Sequence, residues 1–181
     1  MFVDVNETIR KLDLPALRIL RYPDPRLREA GVNLPRIDDA VRGLVERMFE
    51  LTFQAHGVGL AAPQGGVAAR LFIATPSFQE DDRRVYINPE LISLEGSQEN
   101  EEGCLSFPGI TCRVKRYNFA TIRAMNLDGA VFEESGEELV ARIFQHEMDH
   151  LEGRLLADRM GSVAKPANRR AMKDLEEQFV K

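Results

Sequence analysis

Cysteine and histidine are scarce in this sequence, which holds two of the first and three of the second among 181 residues. So few cysteines allow at most one bridge, and Cys104 and Cys112 read as free thiols, one of them metal-bound. Long apolar runs are missing too. None approaches the roughly 20 residues needed to cross a bilayer, so no membrane association is expected. Nor is there an excess of positive charge. A formal charge of -5 gives no global attraction to phosphate backbones, and nucleic acid is not an expected partner. The opening MFVDVNETIRK lacks the basic-then-apolar order of a secretory signal and carries too many acids for a transit peptide, so a soluble, cytoplasmic protein is expected.

What is present fits one folded unit. With 44% hydrophobic and 29% charged residues, the chain lies near globular averages, and its length suits a single domain over 1–181. Residues 1–14 read as a loosely attached extension. Apolar residues at Ile37, Val41, Leu44, Val45 and Met48 recur at helical spacing and predict an amphipathic helix between Ile37 and Ala55, with Gly57 able to cap it in the left-handed conformation. From Leu71 to Met125 short runs rich in β-branched and aromatic residues (LFIAT, VYIN, LISL, ITCRV, NFATIRAM) read as strands. Asp128-Gly129 marks a hairpin after NFATIRAM, which favours antiparallel pairing. A helix is expected from Glu137 to Glu152, stopped by Gly153, and a C-terminal one from Pro166 with Met172, Leu175 and Phe179 on one face. The fold class that follows is α+β: antiparallel or mixed sheets packed around a central HExxH helix, with an N-terminal amphipathic helix and a C-terminal helix over 166–181.

The chemistry concentrates on the second of these helices. His146 and His150 in His146-Glu147-Met148-Asp149-His150 stand about 40° apart around the axis, so both can reach one ion. Glu147, turned about 100° from His146, faces a water in the open coordination position instead of a ligand site. Leu139 and Ile143 share the face with both histidines, so the imidazoles point inward, where an unpaired polar group is costly. A catalytic site needs a third protein ligand. No histidine follows, and Asp174, Glu176 and Glu177 lie on a surface-facing helix. Cys104, within Glu101-Glu102-Gly103-Cys104-Leu105-Ser106, is the favoured donor, with Cys112 as its rival. Glu102 is a candidate partner for the outward nitrogen of a ligand histidine. In a third string, Gly57-Val58-Gly59-Leu60-Ala61-Ala62-Pro63-Gln64, small residues let a peptide backbone lie close while the Gln64 amide donates to a developing oxyanion.

GVGLAAPQ, EGCLS and HEMDHLEG, in this order and at these separations, resemble the three signature motifs of the peptide deformylases. The resemblance extends from about Leu17, where ILRYPDPRLRE is similar to the family's usual opening, to Arg159, and the terminal helix fits the bacterial-type members. It implies hydrolysis of the formyl group from the N-terminal formylmethionine of nascent polypeptides, releasing formate. Carried onto this chain, it makes Cys104, His146 and His150 the metal ligands and Glu147 the general base and acid. The Leu105 N–H and Gln64 become the oxyanion site, and Gly59 touches the substrate backbone. The ligand types alone suggest zinc; the resemblance implies Fe(II), with zinc, nickel or cobalt able to substitute. An apolar pocket for the methionine side chain is expected from Val58, Leu139 and Ile143. Arg142 and Asn100 stand where many members place apolar residues, and Arg142 is expected to lay its stem along the pocket rim with its charge towards water or Asp149. From Lys165 to Lys181 five basic residues face three acidic ones, so ribosome contact through this helix is a possible use. The competing readings are a zinc endopeptidase built on the same helix and a catalytically inert, ribosome-associated metal-binding module.

Overall fold

The computed structural model describes residues 4–180. Among these residues, five α-helices (α1 Val5–Arg10, α2 Asp39–Gln54, α3 Glu138–Leu151, α4 Leu156–Arg159, α5 Ala164–Phe179) accompany seven strands: β1 Gly59–Ala61, β2 Leu71–Ala74, β3 Arg84–Glu95, β4 Gln98–Gly103, β5 Thr111–Arg116, β6 Phe119–Met125 and β7 Val131–Glu137. Strands β1-β2-β3-β6-β7 form one sheet in that order, and β4-β5 form a second. All strand pairs are antiparallel, and the α+β class expected from the sequence is the one found.

Alternation along β1 and β2 explains why these short strands are buried throughout. Leu60, Leu71 and Ile73 pack with Ile87 against α2 residues Val41, Leu44, Val45 and Met48, whereas Ala61, Phe72 and Ala74 pack with Tyr86 against Ile143, Phe144, Met148 and Leu151 of α3. Successive side chains leave a strand on opposite faces, so this part of the large sheet is covered by α2 on one side and α3 on the other. Each fully buried large aliphatic or aromatic side chain here contributes about 1.5–3 kcal/mol. A third cluster joins Leu27, Phe107, Ile110, Cys112 and Val114 to Leu155, Leu156, Met160 and Leu175; it seats α5 on the small sheet. Phe179, expected on the same face of α5, is exposed.

Several local expectations need correction. The segment read as a loose extension includes α1, whose Val5 and Ile9 enter the core beside α2. Asn6 anchors it, its amide donating to Arg36 O and to Asp38 Oδ2, each at 3.1 Å. Asp38 also accepts from Val41 N and so caps α2; one carboxylate thus joins the two helices. The left-handed residue after α2 is His56, at φ 54°, and not Gly57. VYIN and LISL are one strand, β3, kinked where the register shifts between Ile87 and Glu90. Asn88 sits there at φ 49° and uses both ends of its amide on Leu34 N and O, while Pro89 supplies no ladder donor. Asp128-Gly129 does turn β6 into β7, inside a five-residue connection in which Asn126 Oδ1 accepts from Asp128 N and Ala130 N.

Candidate metal centre and active-site cleft

Three segments bring the site together. α3 ends its last turns with His146 and His150 and is stopped at Gly153, at φ 70°. The chain leaves β4 at Gly103 and turns sharply, the Phe107 N–H donating to Cys104 O at 2.8 Å, which brings Cys104 over the C-terminal half of α3. Cys104 Sγ lies 3.3 Å from His150 Nε2, and the donor atoms of Cys104, His146 and His150 all lie within 4.8 Å of one another. Among the described residues no other cluster of this kind occurs. The rival Cys112 is a buried residue of the third hydrophobic cluster, its thiol pushed up by burial, as befits a small core side chain.

The donor set fits a divalent ion on structural grounds as well as by residue type. A thiol and two imidazoles suit borderline-soft metals. His146 Nδ1 stands 3.2 Å from Glu102 Oε2; with an ion bound, the carboxylate would hold a proton on Nδ1 and leave the Nε2 lone pair for the centre. Two buried polar atoms at the site, Glu147 Oε2 and His150 Nδ1, have no protein partner. Burial of unpaired polar atoms is costly, and of the two only Glu147 lines the cleft, so its free oxygen calls for a ligand or solvent there.

Glu102 is itself held by Arg116, whose side chain is 3% exposed. Arg116 Nε and Nη2 donate to Glu102 Oε1 and Oε2, both at 3.0 Å, and Nη1 donates to Asp149 Oδ2 at 2.6 Å. Arg159 closes the far side of Asp149. A chain of fixed charges therefore runs from the protein surface at Arg159 to the imidazole of His146. Burial alone would raise the Glu102 carboxyl, but the bonds from His146 and Arg116 outweigh it and bring it down to about 2. Glu147 behaves oppositely. Burial pushes it up to about 7, against the nearby His146 and Arg116 charges. Burial also depresses His150, and the neighbouring His146 and Arg116 add to that.

The third sequence string forms the opposite wall. β1 is an edge strand, so its outer backbone groups face the cleft without a strand partner. Gly59 is required by Glu147: a Cβ on it would lie 2.6 Å from Glu147 Oε1. Gly57 packs closely on Leu105, whose Cδ1 would be 2.7 Å from an added Cβ and would have to give way. Gln64 is clamped, its Oε1 accepting from Ala61 N at 2.9 Å and its Nε2 donating to Ser106 Oγ at 3.1 Å. That orientation turns Nε2 towards Cys104 Sγ, 3.6 Å away. The Leu105 N–H has no protein acceptor among the described residues. Ser106 and Arg116 were not singled out from the sequence. The serine of EGCLS lay within a recognised string, whereas Arg116 carries no local signal.

Val58, Gly59, Gln64, Leu105, Leu139, Ile143 and Glu147 all line one cleft of about 960 Å³ together with Cys104 and His146. Ile143 is buried and Leu139 is 38% exposed, so the apolar wall opens outward at Leu139. Arg142 lines this cleft but does not pair with Asp149, whose oxygens are taken by Arg116 and Arg159. Asn100 bonds Gln98 on the exposed side of β4 and is not part of the wall.

The family model described as Polypeptide deformylase matches residues 16–166. A peptide deformylase of Acidobacterium capsulatum is 48% identical over 147 residues, covering 80% of this chain and 86% of the relative. One from Pseudomonas aeruginosa is 42% identical over 163 residues, covering 90% and 95%. Among solved structures, a plant peptide deformylase superposes with a TM-score of 0.87 at 36% identity, covering 91% of each chain. A peptide deformylase from Legionella pneumophila does so at 0.85 and 37%, covering 92% and 99%. With a family model spanning most of its length and relatives this similar along nearly their whole chains, the chain belongs to the peptide deformylase family.

Proposed function

We propose that this protein hydrolyses the N-formyl group from the formylmethionine that begins a nascent polypeptide, releasing formate and a free amino terminus. The observation that carries the reading is the convergence of Cys104 Sγ and the two α3 imidazoles beside a buried Glu147 oxygen that has no protein partner. In this reading Cys104, His146 and His150 hold one divalent ion, which we assign as Fe(II), with zinc, nickel or cobalt able to replace it. Such an ion supplies Lewis acidity and lowers the pKa of water towards about 7.

The remaining chemistry belongs to the chain. The edge of β1 takes the peptide backbone as an added strand, and Val58, Leu139 and Ile143 receive the methionine side chain. Glu147 accepts the proton of the attacking water and returns it to the departing amine, and its burial, which favours the protonated form, suits a carboxyl that must both take and give a proton. Negative charge developing on the formyl oxygen meets two donors, the Leu105 N–H and Gln64 Nε2. Clamping by Ala61 and Ser106 holds the Gln64 amide in place, and the Nε2 hydrogen aimed at Cys104 Sγ is the one available to the charge as it forms. Gly59 leaves room for both Glu147 and the substrate backbone.

The same reading treats the chain as one domain organised around α3, acting in the cytoplasm; no helix among the described residues is long and apolar enough to cross a membrane. Contact of α5 with the ribosome would place the site near emerging chains. Neither competitor gains support. The acids an endopeptidase would need lie on α5, where Glu176 instead accepts from the Tyr22 hydroxyl, and an inert metal carrier has no need of a clamped Gln64. Formate release from a formyl-methionyl peptide, measured beside backbone cleavage of an unformylated one, tests the proposal. Formate without cleavage is expected, and cleavage without formate would reverse the assignment.

A further inference from the structure

Arginines in this protein that leave the surface find acceptors. Arg47 bonds Glu50 and the carbonyls of Pro15 and Leu17, Arg70 bonds Pro89 O, and Arg83 bonds Glu46. Arg84 bonds Asp82 and Glu134, and Arg116 bonds Glu102 and Asp149. Arg142 is the exception. It is half-buried on α3 and lines the catalytic cleft, yet among the described residues it has neither a hydrogen-bond nor an ion-pair partner. A guanidinium cannot shed its charge, and a partly desolvated one facing a cleft is a site for a carboxylate. The acids that line the cleft with it do not serve it. Glu102 is committed to Arg116 and His146, Glu101 accepts from Thr111, and Glu147 belongs to the reacting centre.

The place of Arg142 on the α3 wall of the cleft narrows which part of a peptide it can meet. In an extended peptide the first and third side chains leave on the same side, about 6.6–6.8 Å apart. With the first side chain against Ile143, the third lies on the α3 side of the cleft. Arg142 directly precedes Ile143 on α3, so its long stem starts beside the wall for the first side chain and carries the guanidinium outward along it, on the side where the third side chain leaves. Resting on the deformylase reading, we propose that Arg142 is a specificity-determining residue that pairs with an acidic side chain at the third position of the formylated peptide. Its alkyl stem continues the apolar wall and its head selects the charge.

The test compares formyl-Met-Ala-Glu-amide with formyl-Met-Ala-Gln-amide, both amidated so that no terminal carboxylate can substitute for the side chain. Native enzyme should favour the glutamate peptide by about tenfold in kcat/KM, mainly through KM, as for one charge-assisted contact in a half-exposed site. The ratio should shrink as salt is raised, approach one in Arg142→Met, and be intermediate in Arg142→Lys, which keeps the charge without the fork. Each ratio is internal to one protein, so altered overall activity does not disturb it; if Arg142→Met fails to fold, Arg142→Lys decides. Equal turnover of the two peptides by native enzyme overturns this inference alone, as does a ratio unchanged by either substitution. A preference that appears only with free-acid peptides, whatever their third residue, also overturns it by assigning Arg142 to a chain terminus. Absence of formate from both peptides overturns the deformylase reading and this inference with it.

Discussion

Replacing Arg116 by methionine should be among the most damaging single changes outside the cleft. The guanidinium is 3% exposed and bonds two carboxylates whose own exposures are 7% and 8%. Its removal leaves Glu102 with only His146 and Asp149 with only the peripheral arginines. Breaking a buried ion pair from one side costs about 3–5 kcal/mol, because the partner charge is stranded. A second figure, for the cluster as a whole, comes from Glu102, which His146 and Arg116 both hold ionised. Its carboxyl falls from 4.5 to about 2 on folding, a difference of about 2.5 units, or about 3 kcal/mol at 1.36 kcal/mol per unit. A depressed carboxyl contributes stability that is fully present above the unfolded value and is lost as the pH falls through the folded one. Urea unfolding of the metal-free protein at pH 7 should therefore show Arg116→Met about 3–5 kcal/mol less stable than the native chain. Native protein should lose about 3 kcal/mol relative to Glu102→Gln between pH 5 and pH 2. The triple change Arg116→Met, Glu102→Gln, Asp149→Asn should recover part of the loss, since no charge is then left unpaired. A loss below about 1 kcal/mol for Arg116→Met, or equal acid sensitivity in native and Glu102→Gln proteins, would refute the reasoning.

Other perturbations probe separate links. Ile9→Ala should cost about 2–4 kcal/mol in thermal or urea unfolding, because α1 is part of the core; a change of a few tenths would mean that the segment is loosely attached after all. Ser106→Ala removes the acceptor that holds Gln64 Nε2, so kcat should fall about 5- to 30-fold with little change in KM, and in a Gln64→Ala background the same change should add almost nothing. Gly59→Ala places a methyl against Glu147 Oε1, and kcat should drop at least about tenfold at unchanged metal content, as expected when a proton-transfer group is displaced; full activity would show that the carboxylate can move aside freely.

What could be read directly from the sequence is what is encoded within a few residues. The two histidines and Glu147 share one helix, so their relative angles follow from helical geometry alone, and α3 ends within a residue or two of its expected limits. Alternation and residue type likewise revealed β2, β5 and β6. The small sheet's other strand was missed because QENEEG looks like a solvated acidic loop; within it only Glu102 turns inward, and its reason for doing so, Arg116, lies on the paired strand. β3 was read as two pieces because Pro89 suggests a break, whereas Asn88 turns that break into a bulge by bonding Leu34, far away in sequence. α1 is too short to announce itself, and its helix depends on α2 for burial. Cys104, the third candidate donor, lay between these cases. Its residue type was legible from the string around it, but its position over α3 depends on a turn and on the small sheet.

The central claim is that Glu147 moves protons beside a centre held by Cys104, His146 and His150. The measurement that tests it most directly is anaerobic metal analysis of native and Glu147→Ala proteins, coupled to formate release from a formyl-methionyl peptide on the same samples. One divalent ion per chain in both proteins, with turnover nearly abolished in the variant, is the predicted result. Near-native formate release by Glu147→Ala, or native protein that turns over substrate with no ion bound, would contradict it.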